Sequence, residues 1–223
     1  MMTNLFSTFD PATSLKMSLN WISTFTIMMM IPPIYWIIPT QYSMMFSIML
    51  YKMHNEFKML LSTNNSGFTL MLNALFLFIL FNNLMGLLPY IFTSSSHMSF
   101  TMSMAIPMWT SLMLFGWINK TQDMLAHLIP SGTPTILMPF MVCIETISNI
   151  IRPGSLAVRL TANMIAGHLL MSLIGNKMAN TSNILLIFMI LSQMGLMMFE
   201  AAVAIIQAYV FSVLSTLYTS EVS

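Results

Sequence analysis

From Thr135 to Ile174 the chain runs for 40 residues with a single internal breaker, Pro153-Gly154. One continuous helix of that length would be ~60 Å long, about twice the ~30 Å hydrocarbon thickness of a bilayer. Two solutions fit. Either Pro153-Gly154 turns a hairpin of two short spans, or one long helix bends there and lies steeply tilted. A second apolar run, Asn183 to Tyr218, is also overlong for an upright span. The chain is 57% hydrophobic and only 6% charged, against about 25% charged in soluble domains. With a mean hydropathy of +0.81 it reads as a membrane protein. A net charge of +1 leaves no basic patch to follow a phosphate backbone, which excludes nucleic acid as a partner.

The first apolar run, Leu19 to Ile38, is long enough for a span, with an end bent by Pro32, Pro33 and Pro39. In Gln41 to Leu61, Tyr51, Lys52, His54, Asn55, Glu56 and Lys58 interleave with apolar residues spaced by three and four. That pattern predicts an amphipathic helix on the membrane surface. Asn64-Asn65-Ser66-Gly67 interrupts, and Phe68 to Leu88 reads as a spanning helix closed by Pro89. Met98 to Ile118 is the next span, so residues 68–118 form a helical hairpin. Leu125 to Ile129 is a short apolar piece ending in the breaker cluster Pro130 to Pro134. Gly175 to Ser182 reads as a polar linker. The expected fold is all-α, a single polytopic membrane domain over residues 1–223. It has about five embedded helices and one surface helix, and the last two helices, within 135–218, are long and strongly tilted. Lys52, Lys58 and Lys120 fall on one side, Lys16 and Lys177 on the other, a weak positive-inside bias.

The N-terminal MMTNLFSTFDPATSLK has no basic segment before the apolar run and carries Asp10, so it reads as retained rather than as a cleaved signal. Cys143 excludes an intramolecular disulfide and a cysteine-cluster metal site, and reads as a small buried apolar residue. The 28 methionines are spread through nearly every segment and read as gap fillers, not metal ligands. No metal or cofactor is expected.

Against this background a few polar groups stand out. Arg159 lies deep in the 135–174 run and cannot shed its proton. Holding that charge near mid-membrane costs at least ~2.5 kcal/mol. Glu145, Asn163 and His168 share its run, and Glu200 and Gln207 lie in the last one. Ionisable groups in such places point to an ion or proton path. Asn163, at i+4, shares a helix face with Arg159, whereas His168, nine residues on, faces the opposite way. Glu200 and Gln207 are two turns apart on one face, and Ala201, Ala204 and Ala208 leave room for close helix packing. Across the bend at Pro153, the facing of Glu145 relative to Arg159 stays open. Arg152, beside that proline, reaches a wet cavity or an interface.

The run RLTANMIAGH, Arg159 to His168, resembles the signature of the ATP synthase a-subunit family. So do AVAIIQAYVFSVLSTLY (Ala202 to Tyr218), NLMGLLPY (Asn83 to Tyr90), PSGTP (Pro130 to Pro134) and ETIS (Glu145 to Ser148). The N-terminal MMTNLFSTFDP is similar to mitochondrially encoded insect members, which implies a multi-pass protein of the mitochondrial inner membrane. The resemblance covers nearly the whole chain. It implies a non-nucleotide-binding stator subunit, not an enzyme alone, that conducts protons through two offset half-channels. Its implied partners are a ring of c subunits bearing buried carboxylates, and other membrane and peripheral-stalk subunits. Arg159 would face the ring. His168 and Glu200, with Asn163 and Gln207, would form the intermembrane-space half-channel, and Glu145 the matrix-side exit. The resemblance favours two long tilted helices over a hairpin.

The alternatives are a proton-pumping or quinone-linked subunit of a respiratory-chain complex, and an accessory structural subunit. The former would carry haem-ligand histidine pairs or lysine–glutamate relays, whereas His54, His97, His127 and His168 lie in four separate segments and no lysine sits mid-span. The latter has no use for a mid-membrane arginine with polar groups around it.

Overall fold

A computed structural model describes residues 5–13, 17–32, 37–61, 66–129, 134–178 and 181–222. Among these residues every regular element is helical. A 3₁₀ turn at Leu5–Phe9 precedes a mixed segment of 3₁₀ turn Leu19–Ile22, helix α1 Ser23–Thr26 and 3₁₀ turn Ile27–Met30. The longer helices are α2 Gln41–Leu60, α3 Ser66–Gly86, α4 Met98–Asn119, the short α5 Thr121–His127, α6 Met138–Met178 and α7 Asn183–Val222. Four of them, α3, α4, α6 and α7, are long and apolar enough to cross a membrane. The fold is an all-α polytopic membrane protein.

The first apolar run differs from the expected span. Among the described residues its helical part is Leu19 to Met30, by itself too short to cross ~30 Å of hydrocarbon at 1.5–2 Å per residue. The hydroxyls of Ser23, Thr24 and Thr26 each donate to the carbonyl three residues back, at 2.7–2.8 Å. Such back-bonding competes with the regular helical ladder. Beyond Pro32 the run passes outside the described residues until 37.

Helix α2 occupies almost the range expected of the amphipathic segment. Thr40 caps its N-terminus, its hydroxyl accepting from the Ser43 N–H. Phe57 is fully buried, while Tyr42, Met44, Met45 and Tyr51 are exposed. The helix packs on α3, where Phe46 stacks on Phe81 at 6.2 Å. The breaker cluster after α5 falls outside the described residues except Pro134, as do residues 62–65. The expected linker at Gly175–Ser182 begins late, because α6 continues to Met178. Lys177 in its last turn favours the negative end of the helix dipole.

The hairpin alternative at Pro153-Gly154 is not adopted: α6 runs through Pro153 as one helix of 41 residues. An interior proline removes one backbone hydrogen bond, at about 3 kcal/mol in an exposed helix. Here Pro153 is buried and lines one small gap with Trp109 of α4 and Phe211 of α7, and α6 packs against both of these helices. With α7 at 40 residues, both helices are about twice as long as the hydrocarbon is thick.

Helix α7 packs against α3 and α6, and α6 also against α4. Their shared core includes Leu72, Phe76, Ile79, Met108, Leu156, Leu160, Ala208 and Phe211. The buried hydroxyls of Ser212, Ser215, Thr216 and Thr219 donate to carbonyls of their own helix, the economical solution where water is absent. Cys143, expected to be buried, is exposed. It lies on an outer face of α6 that also exposes Ile144, Ile147 and Ile151.

Ala208 is fully buried in this core. Ala208→Leu overpacks it and costs roughly 1–3 kcal/mol. Unfolding of the purified protein in mixed detergent measures this, with Ala202→Leu on the exposed face as the neutral control.

Candidate functional site: two polar cavities and an outward arginine

At the α3 end of the molecule, a cavity of about 770 Å3 opens between α6, α7, the 87–93 turn and the Leu5–Phe9 segment. His168 and Glu200 line it. The turn that forms its wall is fastened through α3. Asn82 donates to the Phe78 carbonyl at 2.8 Å and accepts from the Ser94 hydroxyl at 3.0 Å. Tyr90 then reverses the chain with φ at +70°, a left-handed conformation uncommon for an aromatic residue. The His168 ring hydrogen-bonds the Gly86 backbone and meets Phe9 edge-on, with ring centres 6.1 Å apart. Nε2 of His168 and Oε1 of Glu200 are buried without a hydrogen-bond partner among the described residues.

Glu200 fits there because Gly167 faces it. A Cβ at Gly167 would stand 2.5 Å from the Glu200 Cδ, closer than van der Waals contact allows. One turn away, Asn163 Nδ2 donates to Gln207 Oε1 at 3.2 Å and ties α6 to α7. Gln207, Ala204 and Ala208 are buried in that approach, as the small-residue spacing predicts. Thus His168 and Glu200 meet in one cavity, and Asn163 and Gln207 meet in one hydrogen bond.

The second cavity, about 470 Å3, opens between α4, α5 and α6. Trp109, Trp117, Glu145, Asn149 and Arg152 are among its lining residues, none of which is shared with the first cavity. Arg152 Nη2 pairs with Glu145 Oε1 at 3.5 Å, and its guanidinium lies 5.4 Å from the Tyr218 ring centre. The separation of seven residues, two helical turns, was the sequence signal for this pair. Glu145 and His168 are 23 residues apart on one helix (168 − 145), or ~35 Å.

Arg159 belongs to neither cavity. It lies between them along α6, on an exposed stripe with Ser155, Ala162, Asn163 and Ala166. Among the described residues, no carboxylate of this chain is within ion-pair distance of it. His168 points the other way, into the molecule, as the nine-residue spacing predicts. Sequence reading passed over two further contributors to the first cavity. Gln193 lines it from α7, and Gly167 leaves the space for Glu200. Neither is an ionisable residue in an apolar run, so neither carried a signal of its own.

The helices and cavities together define a polytopic membrane protein whose long helix pair bears polar sites at both ends. Residues 13–220 match the ATP synthase A chain family. ATP synthase subunit a of Drosophila melanogaster is 60% identical over 224 residues, covering all of both chains. The subunits a of Anopheles gambiae and Locusta migratoria are each 59% identical, again over the full length of both chains. The chain belongs to the ATP synthase A chain family, and the respiratory-complex reading is set aside.

Gly167→Ala pushes the end of a flexible side chain, so the fold survives while the Glu200 carboxyl moves. A misplacement of about 1 Å at a working group costs up to ~100-fold in rate. Proton flux into vesicles carrying the assembled membrane sector should fall by that order, with assembly on native gels unchanged. Undiminished flux would show that the Glu200 position is immaterial.

Proposed function

We propose that this protein is the proton-conducting stator subunit of an ATP synthase membrane sector, non-catalytic itself, in the mitochondrial inner membrane. It would work beside a ring of c subunits and with other membrane and peripheral-stalk subunits. One observation carries the reading: two separate cavities with ionisable groups in their linings lie toward opposite ends of α6, and between them stands the exposed Arg159, with no carboxylate at ion-pair distance among the described residues. The length of α6 and α7 supports a steep tilt, since an upright helix of that length would be about twice the hydrocarbon thickness. Helix α2 rests on the membrane surface.

The first cavity is the inlet from the intermembrane space. Its buried, unpaired His168 and Glu200 atoms accept and pass protons that arrive through water. Asn163 and Gln207 hold α6 and α7 together at the inner end of that route. The second cavity, with Glu145 and Arg152, is the exit to the matrix. The ring packs against the exposed stripe of α6, where Ser155, Ala162 and Ala166 let a partner helix approach closely. There Arg159 favours the ionised form of a ring carboxylate, so that the carboxylate gives up its proton toward the exit. It takes another from the inlet as it leaves the arginine. Because Arg159 holds its own proton permanently, it relays none and repels any cationic carrier. Protons therefore cross only by riding the ring, and rotation is coupled to flow.

Arg159→Ala should abolish proton-driven ATP synthesis in reconstituted vesicles while the complex still assembles. Arg159→Lys should fail nearly as badly, because an ammonium lacks the planar fork and can lose its proton when buried. Synthesis at the normal rate in either variant would sink the turnstile.

A further inference from the structure

We propose that Asp10 is the outer proton-collecting carboxylate of the first cavity, held at its rim by the N-terminal segment. This rests on the reading of that cavity as the inlet. Asp10 lines the cavity together with His168 and Glu200, and its side chain is exposed. The segment that carries it is fastened at several points. The Asp10 N–H donates to the Ser7 carbonyl at 3.4 Å, and the Asp10 carbonyl accepts from Asn20 Nδ2 at 3.3 Å. Phe9, next in the chain, rests its ring on the edge of His168. Asp10 Oδ1 accepts from the Ala12 N–H at 3.2 Å, which closes a local turn and fixes where the carboxylate stands.

The groups facing Asp10 across the cavity are His168 from α6, Glu200 from α7 and Tyr90 from the connecting turn, and no lysine or arginine is among the described lining residues. Among the described lining residues the rim thus offers one exposed carboxylate, Asp10, and the groups deeper in are proton acceptors. A negative rim over a low-dielectric cavity concentrates cations at its mouth and speeds their capture. Asp10 thereby serves as an antenna where protons are scarce, handing them to His168 and Glu200. When protons are abundant, collection no longer limits the flow and the carboxylate is dispensable.

Asp10→Asn isolates the charge, because the amide oxygen keeps the bond to Ala12. Proton-driven ATP synthesis by the complete complex in vesicles is measured at several inlet-side pH values with the driving force held constant. At alkaline inlet pH the variant should lose roughly tenfold in rate, the lower end of what such focusing supplies. At acidic inlet pH it should match the wild type, and Asp10→Glu should restore the alkaline rate. Equal loss at every pH would make Asp10 a merely structural residue, and no loss at any pH would remove it from the path. Either result overturns the inference. Glu200→Gln is run alongside. If it stops flux while Asp10→Asn is normal, only this inference falls; if it leaves flux normal, the cavity is not the inlet and both readings fall.

Discussion

A carboxyl group between two apolar helices needs room that a single methyl group would take. The approach of α6 to α7 supplies it. Gly167 leaves the space into which the Glu200 carboxyl projects, and the Asn163–Gln207 hydrogen bond fixes the register of the helices one turn away. Ala204 and Ala208 are buried on the same side of α7 as Gln207. Small residues bring the backbones together, and polar side chains then meet across them because hydrocarbon offers no other partner. Glu200 is in the wall of the cavity, and His168 opposite it, because of this spacing. If α7 slid by one turn, the carboxyl would meet another part of α6 and the hydrogen bond would be lost.

The same two helices leave much of their surface uncovered. Leu191, Met194, Met198, Phe199, Ile205 and Ile206 of α7 are exposed, as are Ile147, Ile151 and Val158 of α6. Lipid suits most of that surface. It does not suit Arg159, whose charge on an apolar face costs at least ~2.5 kcal/mol near mid-membrane. Among the described residues no carboxylate lies within ion-pair distance of that cation, and the proposed function assigns its counter-charge to a neighbouring subunit.

Much of the fold was legible from residue periodicity and breakers. The three- and four-residue spacing of apolar groups marked Gln41–Leu61, and α2 ends within a residue of it. The apolar runs marked α4 within a residue and α3 within two at each end. What escaped were features decided by neighbours in space. At Pro153 residue spacing left a hairpin and a bent helix equally open, and only the resemblance favoured the continuous helix that α6 forms. The Leu19–Ile38 run has the length of a span, but hydroxyl back-bonding and Pro32 shape its first part differently. Gly175 and Asn176 look like linker residues, yet they extend α6. At the site, helical spacing alone placed Arg159 and His168 on opposite faces. It could not pair Asn163 with Gln207, since these are 44 positions apart (207 − 163). Nor could it bring Asp10 to the cavity of His168 and Glu200, both more than 150 positions away.

The continuity of α6 through Pro153 has a functional consequence. Had the chain turned there, Glu145 and Arg159 would sit on separate short helices whose relative position depended on a loop. As one helix, α6 carries Glu145, Arg152, Arg159, Asn163 and His168 on a single rigid body, each at a fixed height and azimuth. The proposed function calls for that fixity, because it requires two proton routes to stay apart while a ring of partner subunits moves past. The missing hydrogen bond at Pro153 is a local cost of about 3 kcal/mol or more, set against the packing of α6 on α4 and α7. The proline also leaves the Asn149 carbonyl without its helical donor, four residues back, on a residue that lines the second cavity. The break in the ladder thus falls on a residue at the second cavity, where water or a neighbouring side chain can satisfy it, as an interrupted helix at membrane depth requires.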